Sequence, residues 1–563
     1  MMKFTPAIAR SKTTKQSITT LWIASLAFAM TMGEVASVSL AAPANVDFTI
    51  TTSEAVNVTG CPATCPRIAV TVDGQTRYAQ YSAGTGSSSL TFSYAPTIGD
   101  LDLDGVTLTS PIDLNGGTIT DLNGNAITPL TFTIPNTSGV KIDYPSLSMD
   151  FANSDYILSG THYATLPSFL SAAGGTFTRA SIGTYYDSSG TLQTAASGVP
   201  RFDHDPVTHA PKGILIEEAR TNYIRESNFS GLAIGTNSST ANWSFYCPTA
   251  QIPGCSLTVT DTGTQNGIPY IDVHYNIPTN TSGSTQWPGF GMPFSNSATV
   301  SSGSTTILSS WLGILSYTST GGTCTIGYSN RSHTTAGAYI SEATTYLTGT
   351  VPYAYRISPL MTHGATAGKA YFTLYVATPN GVSCDITARL GAPQFELGSF
   401  PTSHIPTNGT AVTRQADFLT MPTGGWYNSS ESTIFTQYQV PYSTSGQHGV
   451  FSLNDGTLSN KTDLRANGQM ITSLGGASQE NQAVAINIGS TNKVSKGIIL
   501  NNFSGSSNGG SVITDNAVNV PSVNKLQIGG LDNSPTYGLD GTVEKIRYYP
   551  ARTSNAQLQL LTQ

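Results

Sequence analysis

The stretch YFTLYVA, residues 371–377, places Tyr371, Thr373 and Tyr375 at alternate positions, with Phe372, Leu374 and Val376 between them. Side chains of a strand alternate between its two faces. This segment therefore reads as one strand with an apolar face for a core and a Tyr/Thr face for solvent. NWSFYC, SLTVTDTG, PYIDVHYNI, TTILSSWLGIL, CTIGYS and AYRISPL are further short strand candidates around it. Together, residues 229–398 predict a jelly roll.

The same pattern continues in both directions. FTITTS, RIAVTVDG, SLTFSYAP, VTLTS and PLTFTIP, separated by turn residues, predict an immunoglobulin-like spacer over residues 43–143. Residues 144–228 read as extended segments joined by glycine turns, a connector. Residues 399–421 form a turn-rich linker. STIFTQYQVPY, HGVFSLND, QAVAINIG, KGIILNN, NKLQIGG and GTVEKIRYYP predict a concanavalin A-like sandwich of laminin-G type over 422–563, ending in a short helical tail. The chain has 563 residues, too many for one core. With 38% hydrophobic and only 10% charged residues, it can bury cores and is not disordered in bulk. The fold class expected is all-β, a multidomain string of β-sandwiches. The net charge of −7 offers no basic footprint and argues against a nucleic-acid partner.

Lys3, Arg10, Lys12 and Lys15 precede the apolar run LWIASLAFAMTM and the small-residue stretch ASVSLAAPA. This order reads as a signal peptide over residues 1–42, with cleavage near Ala41 or Ala42. The run is short for a membrane span, and no later run is longer, so an exported chain without a transmembrane segment is expected. The destination is extracellular, the bacterial cell surface or the periplasm. An even number of cysteines fits an oxidising compartment. Proximity suggests the pairs Cys61–Cys65, Cys247–Cys255 and Cys324–Cys384. Zinc at CPATC lacks a second Cys/His cluster.

The densest chemistry lies in RFDHDPVTHAPKGILIEEARTNYI, residues 201–224. Asp203, His204, Asp205 and His209 carry metal-ligand atom types. Pro206, Pro211 and Gly213 break the segment, however, and Asp before Pro caps a turn through its own backbone. These four are read as turn-formers. Arg201, Glu217 and Arg220 are read as partners in buried or half-buried pairs that fix the connector. Adjacent Glu217 and Glu218 would point to opposite faces of a strand and cannot be a glycosidase pair, although Asp203 with Glu217 could be if the chain folds back. His-Glu-x-x-His is absent. The loop GDLDLDG, with Asp100, Asp102, Asp104 and Gly105, has Pro111 where an EF-hand needs Glu, so it reads as a turn.

RASIGTYYDSSGTLQTAASGVPRFDHDPVTHAPKGILIEEARTNYIRES resembles a module of phage tail and head-spike fibres and of related exported bacterial proteins. The Arg-Ala-Ser start, the Tyr-x-Asp turn, Val-Pro-Arg-Phe-Asp and Gly-x-Leu-x-Glu-x-x-Arg-Thr-Asn all fall between Arg179 and Asn222. PQFELGSFPTSHIPTNGTAVTRQAD resembles the connector that follows a carbohydrate-binding jelly roll in that architecture. LDGTVEKIRYYPARTSNAQLQLL resembles the end of laminin-G-like lectin domains. The signal-like N-terminus departs from phage fibres and points to an exported bacterial protein. The resemblance implies glycan recognition or adhesion without catalysis. A fibre or spike forming a homo-oligomer is the first alternative, and a polysaccharide-degrading enzyme the second.

Sugar rings stack on aromatic side chains, and their hydroxyls need polar partners. Abundant Tyr and low charge suit neutral saccharides. Trp287 in the loop GSTQWPGFG leads the ligand-binding candidates, with Phe290, Trp243, Tyr246 and Tyr275. Trp311 is assigned to the core. No cofactor is expected. Calcium is the one ion left open, with the turn residues Asp455, Asp463 and Asp532 as its candidates.

Overall fold

The computed structural model describes residues 29–32, 44–353, 356–443, 447–532 and 537–563. About 50% is strand and 4% helix, in several sheets, so the chain is all-β. The signal-peptide reading lies outside the described residues except for Ala29–Met32, which pairs with Val46–Thr59. No described helix is long and apolar enough to cross a membrane.

In the first unit, Val46–Thr59, Ser87–Tyr94, Gln75–Ala83, Arg67–Val72 and Thr107–Asp113 follow one another across a sheet. Their alternate residues, among them Phe48, Ile50, Phe92 and Val70, share one core. A disulfide joins Cys61 to Cys65. Protein donors take up the carboxylates of the GDLDLDG loop. Asp100 accepts from Arg77 Nη2 at 2.9 Å and from the Thr97 N–H at 2.7 Å, and Asp102 accepts from the Asp73 and Gly105 N–H groups at 2.9 and 2.8 Å.

Residues 229–397 fold as two sheets over one core. One runs Ser244–Tyr246, Gly289–Gly291, Lys369–Ala377, Thr325–His333, Tyr339–Leu347. The other runs Ser256–Gln265, Ile268–Ile277, Ser383–Leu397, Thr305–Thr320, Arg356–Ile357. Cys324–Cys384 ties the two sheets together, and Cys247–Cys255 closes a loop at the edge of the roll.

The segments before and after this roll build a single sandwich. Gly541–Tyr549 pairs along one edge with Leu147–Asp150, at Leu147↔Tyr548, and then with Pro211–Ile216, at Ile214↔Val543. Its other edge carries Glu431–Gln439. The opposing sheet joins Thr176–Thr178 to Phe418–Pro422. Met149, Phe169, Ile214 and Ile216 lie in one core with Trp426, Phe451, Phe503 and Tyr548. Residues 144–228 and 422–563, separate in sequence, thus share both sheets and the core, and the roll is inserted between them. Gly213 permits the close approach. Its φ is +87°, and a Cβ there would lie 2.1 Å from the Val543 carbonyl oxygen. Where the chain enters and leaves the roll, Arg220–Asn222 pairs antiparallel with Val412–Arg414.

Candidate functional site

The outward face of the roll's first sheet follows from strand register. Tyr375 pairs with Gly289 and with Gly327, Thr373 with Gly291 and Ser329, and Tyr371 with Arg331. Tyr246 in turn pairs with Gly289, and Glu342, Thr344 and Tyr346 with Arg331, Ser329 and Gly327. Residues paired directly across strands share a face. Phe372, Leu374, Val376 and Phe290 therefore point into the core, and the Tyr/Thr set points away from it. Gln286 bridges Thr378, which places Trp287 beside Ala377 on the Tyr375 side.

Three glycines, at 289, 291 and 327, lie on this face under close neighbours. A Cβ at Gly327 would fall 2.3 Å from the Tyr375 ring, so that ring lies flat over the glycine. Tyr246, Trp287 and Tyr346 stand up at the margins, exposed by 56%, 49% and 60%. Between them lies a polar cluster. Glu342 accepts from Tyr375 Oη at 2.9 Å, Arg331 Nε at 2.8 Å and Ser329 Oγ at 3.0 Å. Thr344 donates to Ser329 Oγ at 2.9 Å, and the Arg331 guanidinium lies 4.8 Å from the Tyr375 ring centroid. Burial alone would raise the Glu342 pKa. Arg331 and the Tyr375 hydroxyl outweigh it and hold the carboxylate below its ordinary range. At one end, His333 packs against Tyr371, Phe294 and Tyr339, with centroids 5.0, 5.6 and 5.6 Å away. The arrangement offers ring faces for sugar C–H groups and fixed donors and acceptors for hydroxyls. Glu342, the carboxylate of this face, is tied to an arginine, whereas glycoside hydrolysis uses two carboxyl groups.

Trp287 and Tyr246 thus lie on the exposed face expected of them. Phe290, Trp243 and Tyr275 do not, and that expectation is corrected. Trp243 is sandwiched between Phe229 and Phe290, at 5.2 and 4.9 Å between centroids, with no exposed surface. Tyr275 is equally buried and donates to the Leu374 carbonyl at 2.9 Å. All three belong to the roll's core. Tyr346, Arg331 and Glu342 were missed. The signal for Tyr346 and Glu342 was the alternation in YISEATTYL, weaker than that of YFTLYVA because its inward positions are Ser341, Ala343 and Thr345 before Leu347, while Arg331 lies on the neighbouring strand Thr325–His333.

Asp203, His204, Asp205 and His209 do not converge on a metal position among the described residues. Asp205 caps its turn, accepting from the Val207 and Thr208 N–H groups at 2.9 and 2.8 Å, and His209 takes a left-handed φ of 62°. Asp203 accepts from the Tyr186 N–H at 2.7 Å. Arg201 is wholly buried and donates to Glu217 Oε2 at 2.7 Å and to Asp417 Oδ2 at 2.5 Å. Arg179 reaches Asp417 at 2.9 Å, and Arg414 reaches Glu217 at 2.7 Å. Arg220 pairs with Glu218 at 2.6 Å. Burial would raise the Glu217 pKa, but Arg414, Arg201 and Ser403 bring it down to about 2. This carboxylate is committed to structure and unsuited to proton transfer.

The group able to share an ion is a different one, Glu218, His448 and Asp540, with ligand atoms within 4.8 Å of one another. Its members come from distant parts of the chain, and sequence reading missed it. His448 Nδ1 lies 3.2 Å from Asp540 Oδ2 and 2.6 Å from the Gly538 carbonyl. Arg220 pairs with Glu218 at the same place. Of the calcium candidates, Asp463 is buried against Lys461, and Asp455 caps its own turn through Thr457 N–H at 2.9 Å.

Fold and face together define an all-β protein with an aromatic, hydrogen-bonding sheet surface. No family model matches the chain, and no curated protein does. Among solved structures it is similar to domain 4 of a GH43 extracellular arabinanase from Geobacillus stearothermophilus in complex with arabinotriose, at 12% identity over 29% of this chain and 82% of that one, with a TM-score of 0.22. It is also similar to the N-terminal CBM22 tandem of Xyn10C from Paenibacillus barcinonensis, at 11% identity over 57% and 98%, with a TM-score of 0.18. A third is Trypanosoma rangeli sialidase in complex with sialic acid, at 9% identity over 95% and 81%, with a TM-score of 0.21. These likenesses are too distant to bear on activity.

Proposed function

We propose that this chain is an exported, non-catalytic glycan-recognition protein that binds neutral polysaccharide along the outward face of its jelly roll. The observation that carries this reading is the set of exposed rings Trp287, Tyr246 and Tyr346 on the outward side of one sheet, around a fixed Arg331–Glu342 pair. Disulfides suit an oxidising compartment. The low charge suits an uncharged ligand. A glycan array probed with the chain lacking residues 1–42 tests it. At least one neutral polysaccharide is expected to bind, and Trp287→Ala and Tyr246→Ala each to weaken binding roughly tenfold or more, as loss of a stacking ring at a contact centre does. Retained binding in the double variant would remove the face from consideration. Release of reducing ends would overturn the non-catalytic reading. A stable trimer without glycan binding would favour the fibre that residues 179–222 resemble.

A further inference from the structure

A separate cavity of about 420 Å³ lies where the inserted roll meets the sandwich that carries it. Its wall is largely apolar and aromatic, formed by Tyr186, Leu192, Leu215, Trp311 and Tyr442. Trp311 is buried, as expected, in a small core cluster with Ile268 and Ala392 beside the roll's main core. The Arg356 guanidinium lies 5.0 Å from its ring.

Two polar groups facing this space lack protein partners. His404 is 3% exposed, and neither ring nitrogen has a hydrogen-bond partner, although its carbonyl accepts from Thr184 Oγ1 at 2.6 Å. Burial, with Arg356 nearby, lowers its pKa to about 3. The ring is therefore neutral, with one donor and one acceptor to satisfy. Buried donors and acceptors are almost always paired, and one left open costs about 1–3 kcal/mol. Asp203 spends Oδ1 on the Tyr186 N–H and has no protein donor on Oδ2.

Most of the remaining charged groups are held by the protein, although Arg356 Nε has no partner. Glu217 is saturated by Arg201, Arg414 and Ser403. Arg356 donates to the Thr402 carbonyl at 2.5 Å and Ser309 Oγ at 2.7 Å. Lys212 lies 3.7 Å from Asp205. The volume is at the lower end of the roughly 300–1,000 Å³ typical of ligand pockets.

We propose that this cavity is a second ligand site that takes one or two rings of a neutral saccharide, stacked against Trp311 and Tyr186, with His404 and Asp203 hydrogen-bonding its hydroxyls. The ligand class rests on the function proposed above, but the site is independent of the sheet face.

The test titrates methyl glycosides of glucose, galactose, mannose and xylose, and their disaccharides, into the chain carrying isotope-labelled histidine. Calorimetry gives affinity, and the His404 ring resonances, assigned with His404→Gln, report the site. At least one saccharide is expected to shift those resonances. His404→Leu and Asp203→Asn should each lower its affinity tenfold or more, and Trp287→Ala should leave the saccharide-induced shift of the His404 resonances unchanged. His404→Leu should also raise the denaturation midpoint, because it replaces two unsatisfied polar atoms with an apolar group of similar size. If no saccharide moves the His404 signals while Trp287→Ala abolishes polysaccharide binding, this proposal falls and the sheet-face reading stands. If His404→Leu abolishes binding and Trp287→Ala does nothing, the sheet-face reading falls and this one stands. Unchanged saccharide affinity in both cavity variants overturns the proposal.

Discussion

Replacing Glu217 by glutamine tests the buried charge cluster that joins the inserted roll to its host sandwich. The carboxylate accepts from Arg201 Nη1 at 2.7 Å, Arg414 Nη1 at 2.7 Å, the Ser403 N–H at 2.6 Å and Ser403 Oγ at 2.6 Å. A glutamine keeps the shape but turns an amide N–H₂ toward a guanidinium, leaving Arg179, Arg201 and Arg414 with Asp417 alone. Removing one partner from a buried ion pair costs about 3–5 kcal/mol. Linkage gives a similar figure, since depression of the pKa from 4.5 to about 2 corresponds to about 3 kcal/mol. The sign is that of a lowered carboxylate. Its stabilisation is complete above pH ~4.5 and is lost as pH falls toward ~2. Urea unfolding followed through Trp426, buried in the sandwich core, measures both effects. At neutral pH the variant is expected to be about 3 kcal/mol less stable than the parent, and the gap should close as the parent's Glu217 protonates. A variant within about 0.5 kcal/mol of the parent at neutral pH, with the same acid profile, would refute the account of this cluster.

Three further outcomes follow from the same geometry. Trp243→Ala should destabilise the roll by about 3–5 kcal/mol in denaturant titrations, as core aromatic deletions do, because its ring is wholly enclosed between Phe229 and Phe290. Cys324→Ser with Cys384→Ser should cost about 4 kcal/mol by the loop-entropy estimate for a separation of 60 residues, read from the unfolding midpoint with and without reductant. For His448, burial would lower the pKa, but Asp540 and the Gly538 carbonyl outweigh it and raise it. That contribution is fully present below pH ~6.5 and is lost as pH rises through the folded value, so His448→Gln should flatten the midpoint-versus-pH curve on the alkaline side.

Much of the β-architecture was readable because strand periodicity is local. YFTLYVA announces its own two faces, and the structure turns one to the core and the other away from it as the alternation demands, although Tyr375 is covered rather than open to solvent. Trp287 was legible for a related reason: the Gly and Pro around it mark a strand-end loop. Trp243 and Tyr275 were misread because aromatic type says nothing about facing, and their facing depends on register with Gly289–Gly291 and Ser383–Leu397, distant in sequence. Tyr346 and Glu342 escaped because their strand has an almost entirely polar alternation. The Glu218–His448–Asp540 group and the His404–Asp203 cavity were invisible for one shared reason. Each is assembled from segments about 90 to 320 residues apart, and only the closed sandwich brings them together.

The charge density of residues 201–224 acquires a physical reason from the insertion. A roll inserted into another sandwich hangs on two chain crossings, and here these are the short pair Arg220–Asn222 and Val412–Arg414. A three-residue ladder buries little apolar surface, and hydrophobic packing alone would leave the two bodies free to swing. Arg201 and Glu217 come from the incoming chain, and Ser403, Arg414 and Asp417 from the outgoing one, with Arg179 reaching in from the host sandwich. The pairs of Arg179 and Arg201 with Asp417, and of Arg414 with Glu217, join segments far apart in sequence, and their geometry is satisfied at one relative orientation of roll and sandwich. Trp311 of the roll, His404 of the outgoing chain and Tyr442 of the host are thereby held around one cavity. Of the ionisable residues in that stretch, Arg201 and Glu217 belong to the clasp that keeps that cavity's walls together.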